Sequence, residues 1–363
     1  MFRMEVSCGR CSGAHGWISV RSSRSAVSVL ASLAYVCWGG LVDGAQVARR
    51  FGLGRAARLS DGPVARGKQG LVWRLDTTDG SWAVKVPFHQ SGEGDVRSAT
   101  AFQEAACAAG VPAPRVWRTT EGWVFATCAG RQVRVYEWVD LHAPDTRIDP
   151  EQVCAVVAAI HRVSAIDPSP LDPWYHEPVG AGRWDQLARQ LLAAGAPFAP
   201  RLAGLRDELV ALESWIEPPD MLRTCHRDLW ADNVLATAEG GLCVIDWEDS
   251  GLADPSQELG CVLFEFARTD PGRARALTGA YRQAGGPAAV NRRGHFSMLI
   301  AQLGHITQAA ATDWLKPNPR SPQRADSAAW ICEVLDEPHT RELLDAILAA
   351  AGWGAAPHGG QGT

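Results

Sequence analysis

Two short apolar runs near the middle of the chain, Val234-Leu235-Ala236 and Leu242-Cys243-Val244-Ile245, flank the turn residues Glu239-Gly240-Gly241. β-prone runs on either side of a glycine turn predict a hairpin. With Glu239 and Gly240 at the turn centre, the register pairs 234 with 245 and 233 with 246. Directly opposed residues have β-carbons roughly 5 Å apart, so this register sets Asn233 beside Asp246 at the open end. Further upstream, Leu71-Val72-Trp73-Arg74-Leu75 and Trp82-Ala83-Val84-Lys85-Val86 predict two strands joined at Asp79-Gly80, and two more fall near 123–128 and 132–138. Period-3.6 spacing predicts a helix over 98–109 on Ala101, Phe102, Ala105 and Ala106, with Glu104 at its inner edge. From Asp149 onward the pattern is helical: Val153, Val156, Val157, Ile160 and His161 share one face. Helices are also expected over 184–194, 201–213 and 257–267, around 296–310, and in two final segments at 330–335 and 343–348.

The chain of 363 residues allows two lobes, and 46% hydrophobic with 21% charged residues is an ordinary globular composition. Charge is unevenly placed: residues 1–100 hold 13 basic and 7 acidic side chains, and residues 151–350 hold 17 and 27. The acidic second half argues against a nucleic-acid surface and suits a cationic ligand. Ten cysteines are scattered through apolar runs, as expected of free thiols in a reducing compartment. Cys8 and Cys11 with His15 lack the second half that a zinc site needs. Over 1–41, four arginines precede an apolar run broken by serines and by Gly39-Gly40. It has the outline of a signal or a weak membrane segment, but its interruptions favour a disordered extension, with no membrane partner. Residues 354–363 read as a flexible tail.

Three polar residues carry the chemistry of the hairpin. Asp228 lies on the loop entering it, five residues before Asn233, and Asp246 follows its second strand. An amide oxygen and a carboxylate in proximity suit one Mg²⁺, which takes hard oxygen ligands at about 2.1 Å. Arg66-Gly67-Lys68-Gln69-Gly70 forms a glycine-rich turn whose backbone can approach phosphates closely. Lys85 is one of only three lysines and points inward from an apolar strand.

The segment His226-Arg227-Asp228-Leu229-Trp230-Ala231-Asp232-Asn233 matches the H-R-D-x-x-x-x-N catalytic loop of kinases. It is followed by Ile245-Asp246-Trp247 in place of Asp-Phe-Gly, and then by Asp254-Pro255. In this the chain resembles the aminoglycoside phosphotransferase and choline kinase branch of the kinase-like fold. The likeness is good over about 60–260. Glu258 stands where that family usually has an aspartate, and reads as a structural carboxylate at a helix start.

The resemblance implies an α+β, two-lobed protein kinase-like fold. A small antiparallel-sheet N-lobe is expected over 42–138 and a mostly helical C-lobe over 139–353. It implies ATP and Mg²⁺ as cofactors and a cytoplasmic small-molecule O-phosphotransferase. Asp228 would accept or orient the acceptor hydroxyl, and Asn233 with Asp246 would hold magnesium. Gly67, Lys68, Gly70 and Lys85 would bind phosphates. Glu104, with Glu93 as second choice, would orient Lys85. The segment from Val135 to Val139, with Glu137 and Val139 as contacts, would form the adenine hinge beside Arg134. Acidic Glu248, Asp249, Glu265 and Asp313 could face an ammonium-bearing acceptor, and Trp230, Trp247 and Trp314 could form an aromatic cage. The alternatives are a metabolite kinase for choline, homoserine or a sugar, and a nucleotide-binding pseudokinase.

Overall fold

The computed structural model describes residues 42–352 except 67–69, 89, 91, 165–169 and 318–321. The extension over 1–41, Gly67, Lys68 and the tail over 354–363 therefore lie outside the described residues, as do Cys8, Cys11 and His15.

The chain opens with α1 (Gly44–Phe51), capped by the Asp43 carboxylate and stopped at Gly52 in the left-handed region. Seven strands follow in one antiparallel sheet: β1 (Arg58–Leu59), β2 (Ala65–Arg66), β3 (Gly70–Thr77), β4 (Gly80–Pro87), β5 (Val116–Trp117), β6 (Ala126–Cys128) and β7 (Arg131–Glu137). The main path runs β1-β3-β4-β7-β5, with β2 on β3 and β6 on β7. Alternation puts Trp73 and Leu75, Val84 and Val86, and Val133 and Val135 into one core with Val47 and Phe51 of α1. Lys85 lies between Val84 and Val86, so the pleat sends its side chain to the opposite face, toward the helical lobe.

Between β4 and β5 lies α2 (Glu93–Ala108), which begins five residues earlier than its apolar spacing suggests. The extra turn carries Glu93 and Asp95, whose charges favour a helix N-terminus. Phe102 and Ala106 of α2 belong to the core of the large lobe, with the Phe102 ring 5.5 Å from that of Trp247. The helix therefore ties the two lobes together.

The large lobe is built from α3 (Pro150–Arg162), α4 (Ala181–Ala193), α5 (Ala199–Glu213), α6 (Pro255–Ala267), α7 (Pro271–Gln283), α8 (Ser297–Trp314), α9 (Pro322–Asp336) and α10 (Arg341–Ala351). Among the described residues two small two-stranded sheets interrupt it, β8 (Arg223–Cys225) with β11 (Gly251–Ala253) and β9 (Val234–Ala236) with β10 (Leu242–Val244). The polar-rich helix α7 was not anticipated. It buries only Ala274, Leu277, Ala280 and Tyr281, and is set by its Asp270 cap and by Pro271 in the first turn.

The β9–β10 hairpin differs in register from the reading above. Val234 faces Val244, and Asn233 accepts a hydrogen bond at its carbonyl from Ile245. Thr237 N–H donates to the Gly241 carbonyl, which leaves a three-residue loop of Ala238, Glu239 and Gly240. Gly240 takes φ 85°, the left-handed residue that three-residue hairpins require. Asn233 and Asp246 are thus not cross-strand partners.

Gly260 on α6 sits against the backbone of the short turn Arg293–Phe296, where a β-carbon would run into the His295 carbonyl. Overpacking of this kind costs about 2–3 kcal/mol, so Gly260→Ala should lose that much stability in urea unfolding, without a change in m-value.

Candidate active site

The loop after β8 is held from below. Arg227 has φ 64°, a conformation that costs a non-glycine residue roughly 1 kcal/mol or more. Three contacts impose it. Its N–H donates to the Glu258 carboxylate, its Nε donates to the Asp249 carbonyl at 2.5 Å, and its guanidinium lies 4.2 Å over the Tyr175 ring. Glu258 is fully buried in the first turn of α6 and also meets His161 Nε2 at 2.8 Å. His161 Nδ1 in turn meets the Tyr281 hydroxyl at 2.8 Å. The structural role expected for Glu258 is thus given a geometry: with His161 behind it, it anchors the backbone beside Asp228. His226 is buried as well, with Nε2 3.0 Å from the Ile245 carbonyl and its ring 4.7 Å from Trp247.

Asn233 donates its amide hydrogens to Asp228, to Oδ2 at 2.6 Å and to the backbone carbonyl at 2.9 Å. Asp228, Asn233 and Asp246 line one cleft, although the hairpin register does not pair the last two. Asp246 reaches it because it leaves β10 with φ 61° and ψ 58°, a left-handed step that breaks the strand and turns its side chain.

Lys85 meets the Asp246 carboxylate at 2.7 Å and the Glu248 carboxylate at 2.8 Å. It does not pair with Glu104. That carboxylate is exposed and forks onto Arg118 at 3.0 and 2.8 Å, because its position on α2 turns it away from the cleft. Glu93 pairs with Arg97 one helical turn along. The orienting carboxylate is instead Glu248, which also meets Arg134 at 3.0 Å and the Tyr136 hydroxyl at 3.3 Å. Arg134 is directly across β4–β7 from Lys85, so two cations on neighbouring strands share one buried acid. No motif spacing points to this, since Glu248 and the two cations meet only through tertiary packing. Burial alone would depress the Lys85 ammonium, but Glu248 and Asp246 outweigh it and hold its pKa above the ordinary lysine range. Burial pushes up both carboxylates, yet Lys85, Asp246 and Arg134 together hold Glu248 well below its usual range. Asp246, desolvated and beside that anion, rises well above its own.

The cleft encloses about 1140 Å³. Val72, Ala83, Lys85, Tyr136, Glu137 and Val139 line its small-lobe side, together with Gly70, where a β-carbon would lie 2.6 Å from the Val86 carbonyl. Trp230, Phe264, Glu265, Trp330, Glu333 and His339 line the far side. Of the expected acceptor-facing acids, Asp249 and Glu265 border the cleft, and Glu265 also accepts the Ala231 N–H at 3.1 Å. Glu248 is committed to Lys85 and Arg134 and so is not an acceptor-facing group, while Asp313 pairs with Lys316 away from the cleft. The three tryptophans form no cage. Trp247 is buried against His226 and Phe102, and Trp314 packs on Phe198 in a separate cluster, because each lies on the core side of its element. Trp230 and Trp247 both border the cleft, Trp230 beside Phe264 with 6.5 Å between centroids, whereas Trp314 does not.

The profile of the phosphotransferase enzyme family matches residues 62–293, and the chain belongs to that family. No curated protein matches the sequence. Among solved structures, a spectinomycin phosphotransferase in complex with ADP and spectinomycin shares the fold with a TM-score of 0.60 at 16% identity, covering 89% of this chain and 98% of that one. An aminoglycoside phosphotransferase from Alicyclobacillus acidocaldarius gives 0.58 at 17% identity, over 86% and 95%. An amicoumacin kinase with AMP-PNP and Ca²⁺ gives 0.55 at 13%, over 87% and 97%. The two-lobed kinase-like fold is therefore shown, and the protein is a phosphotransferase of the small-molecule kinase kind, with an alcohol group as acceptor. None of the described helices is long and apolar enough to cross a membrane.

Burial pushes His226 and His339 down from 6.5 to about 4. Both imidazoles stay neutral in the fold, whereas the unfolded chain takes up protons below about 6.5, so unfolding gains protons on acidification. The contribution of these two histidines to stability should be level above pH 6.5 and fall between pH 6.5 and 4, by up to about 3 kcal/mol for each. Urea unfolding at a series of pH values checks this, and His339→Gln should flatten part of the slope.

Proposed function

We propose that the protein transfers the γ-phosphoryl group of ATP, with Mg²⁺, to a hydroxyl of an amino-sugar or similar cationic acceptor in the cytoplasm. The observation that carries this reading is the meeting of Lys85, Asp228, Asn233 and Asp246, from separate elements, in one cleft with an acidic far wall.

Asn233 and Asp246 offer an amide oxygen and a carboxylate, the hard donors that Mg²⁺ prefers. Because the Asn233 amide nitrogen is tied to Asp228, the oxygen is the atom left on the other side of the group. Bound magnesium would supply charge neutralisation on the nucleotide phosphates. Lys85, held by Glu248, places a fixed cation for the same phosphates, and Gly70 borders the cleft on the same side. Glu137 and Val139, next to the end of β7, border the small-lobe side, where the base would be taken. Asp228, with its carboxylate steadied by Asn233, receives the acceptor hydroxyl and its proton. Phosphoryl transfer passes through a loose transition state, so rigid positioning and charge supply most of the acceleration.

On the side of Trp230 and Glu265 the described lining residues include Asp232, Asp249, Glu265, Glu333 and Glu337 beside Arg268. Arg268 itself lies 3.5 Å from Glu337 and 4.0 Å from Glu265. The surplus of negative charge favours an ammonium-bearing ligand. That relatives of this fold were solved with spectinomycin and with amicoumacin supports the same class. A second reading, a small amino-alcohol as acceptor, is favoured by the likeness to a microcompartment-associated aminopropanol kinase at a TM-score of 0.52.

ADP release from the purified chain, screened against amino-sugars, amino-alcohols and neutral sugars, separates these readings. Asp228→Ala should lower turnover roughly 10²- to 10⁴-fold while nucleotide affinity stays within about twofold. Asp246→Ala should lose both. An Asp228→Ala enzyme with wild-type turnover would overturn the proposal. Glu248→Gln should raise the nucleotide KM about tenfold or more, as expected for a lost charge-assisted bond to Lys85, whereas Glu104→Ala should leave it unchanged.

A further inference from the structure

Behind Asp228, on the side away from the cleft, stands a residue that no motif marks. Gln302 lies in the middle of α8 and is only 3% exposed. Its Nε2 donates to the Arg227 carbonyl at 3.2 Å and reaches Asp228 Oδ1 at 3.5 Å. Asn233 holds the other carboxylate oxygen, Oδ2, at 2.6 Å. Both oxygens of the aspartate therefore face an amide, one in a short bond from the loop's own asparagine and one in a long contact from a helix 74 residues away in sequence. The amide orientation follows from its partners, since reversing it would set an oxygen against two oxygen acceptors.

The other end of the same amide is an anomaly. Gln302 Oε1 is buried and meets no hydrogen-bond donor among the described residues. A buried polar atom without a partner is destabilising, and few are kept in a folded protein. An apolar residue of similar volume would suit the buried face of α8 better, flanked as it is by Met298, Leu299 and Leu303. Local rules are broken in this way chiefly where function requires it.

We infer that Gln302 is a positioning residue for the transfer step, fixing the rotamer of Asp228 and the Arg227–Asp228 peptide through its amide group. It does not line the cleft and so touches neither nucleotide nor acceptor. It acts through Asp228, and the inference rests on the reading of Asp228 as the hydroxyl-orienting acid. Arg227 is the left-handed residue of the loop, so its peptide needs partners on both sides: Glu258 takes the N–H and Gln302 takes the C=O.

The test is Gln302→Met, which removes the donor and the orphaned oxygen together at nearly constant volume. Turnover should fall roughly 10- to 100-fold, the scale expected when a reacting group loses its alignment. KM for nucleotide and acceptor should stay within about twofold, and the melting temperature within about 3 °C, because the loss of a bond is offset by the loss of an unpaired polar atom. Gln302→Glu keeps the shape without a donor and should lose at least as much turnover. It decides the matter in the same terms if the methionine variant does not fold. In an Asp228→Asn background, Gln302→Met should change the residual turnover less than about twofold, since the two act through one carboxylate. Wild-type turnover in Gln302→Met, or an equal loss in the Asp228→Asn background, would overturn the inference and assign Gln302 to packing. Wild-type turnover in Asp228→Ala would instead bring down the functional reading itself.

Discussion

One buried carboxylate supports the catalytic loop. Glu258 has no access to water, and an ionised carboxylate in that setting is tolerated only with hydrogen-bond donors around it. It finds them in His161 and in the backbone N–H of Arg227. Burial raises its pKa, but the His161 hydrogen bond and charge outweigh this and hold it below the usual range. The cost of placing Arg227 in the left-handed region is thus met by a bond to a charged acceptor, worth more than a neutral one. With that peptide turned, Asp228 faces the cleft and not the core. Without that anchor, the Asp249 carbonyl, the Tyr175 ring and the Gln302 amide would be left to hold the loop.

The same economy of charge governs the small-lobe side. Lys85 and Arg134 are adjacent across two strands, an arrangement that would repel in isolation. Glu248 lies between them and Asp246 beside them, so two cations and two acidic side chains share a desolvated space. Breaking such a group by removing one member is costly, because the others are left buried and unpaired. The result is a rigid cation and a rigid carboxylate at the place where the proposed function puts phosphates and a divalent ion. Rigidity is what a loose phosphoryl-transfer transition state requires of its surroundings.

Several features were legible because they rest on local rules. The strands around Lys85 follow from alternation, the hairpin from its turn residues, and the placing of Asp228, Asn233 and Asp246 near one another from fixed spacing along a loop. Other features were not legible for a shared reason. The hairpin register turned on whether Gly240 closed a two- or a three-residue loop, and a one-residue difference cancels the cross-strand pairing of Asn233 with Asp246. Helix α7 has too narrow an apolar face to announce itself. Glu104 has the right helical spacing, yet the rotation of α2 on the sheet carries it to Arg118. Trp247 and Trp314 look like ligand-binding aromatics but serve two different cores.

By itself, the amino-acid sequence determined most of the strongly patterned elements and the spacing of Asp228, Asn233 and Asp246 around the hairpin, because these depend on periodicity and on residues a few positions apart. Only the tertiary structure decided which carboxylate orients Lys85, how Asp246 is turned into the cleft, and that Gln302 stands behind Asp228. Each of those pairings joins residues on separate elements, and burial rather than spacing sets their worth. A charge on a helix costs little to expose, so the sequence cannot say which of many acids will be desolvated beside a lysine until the lobes have packed.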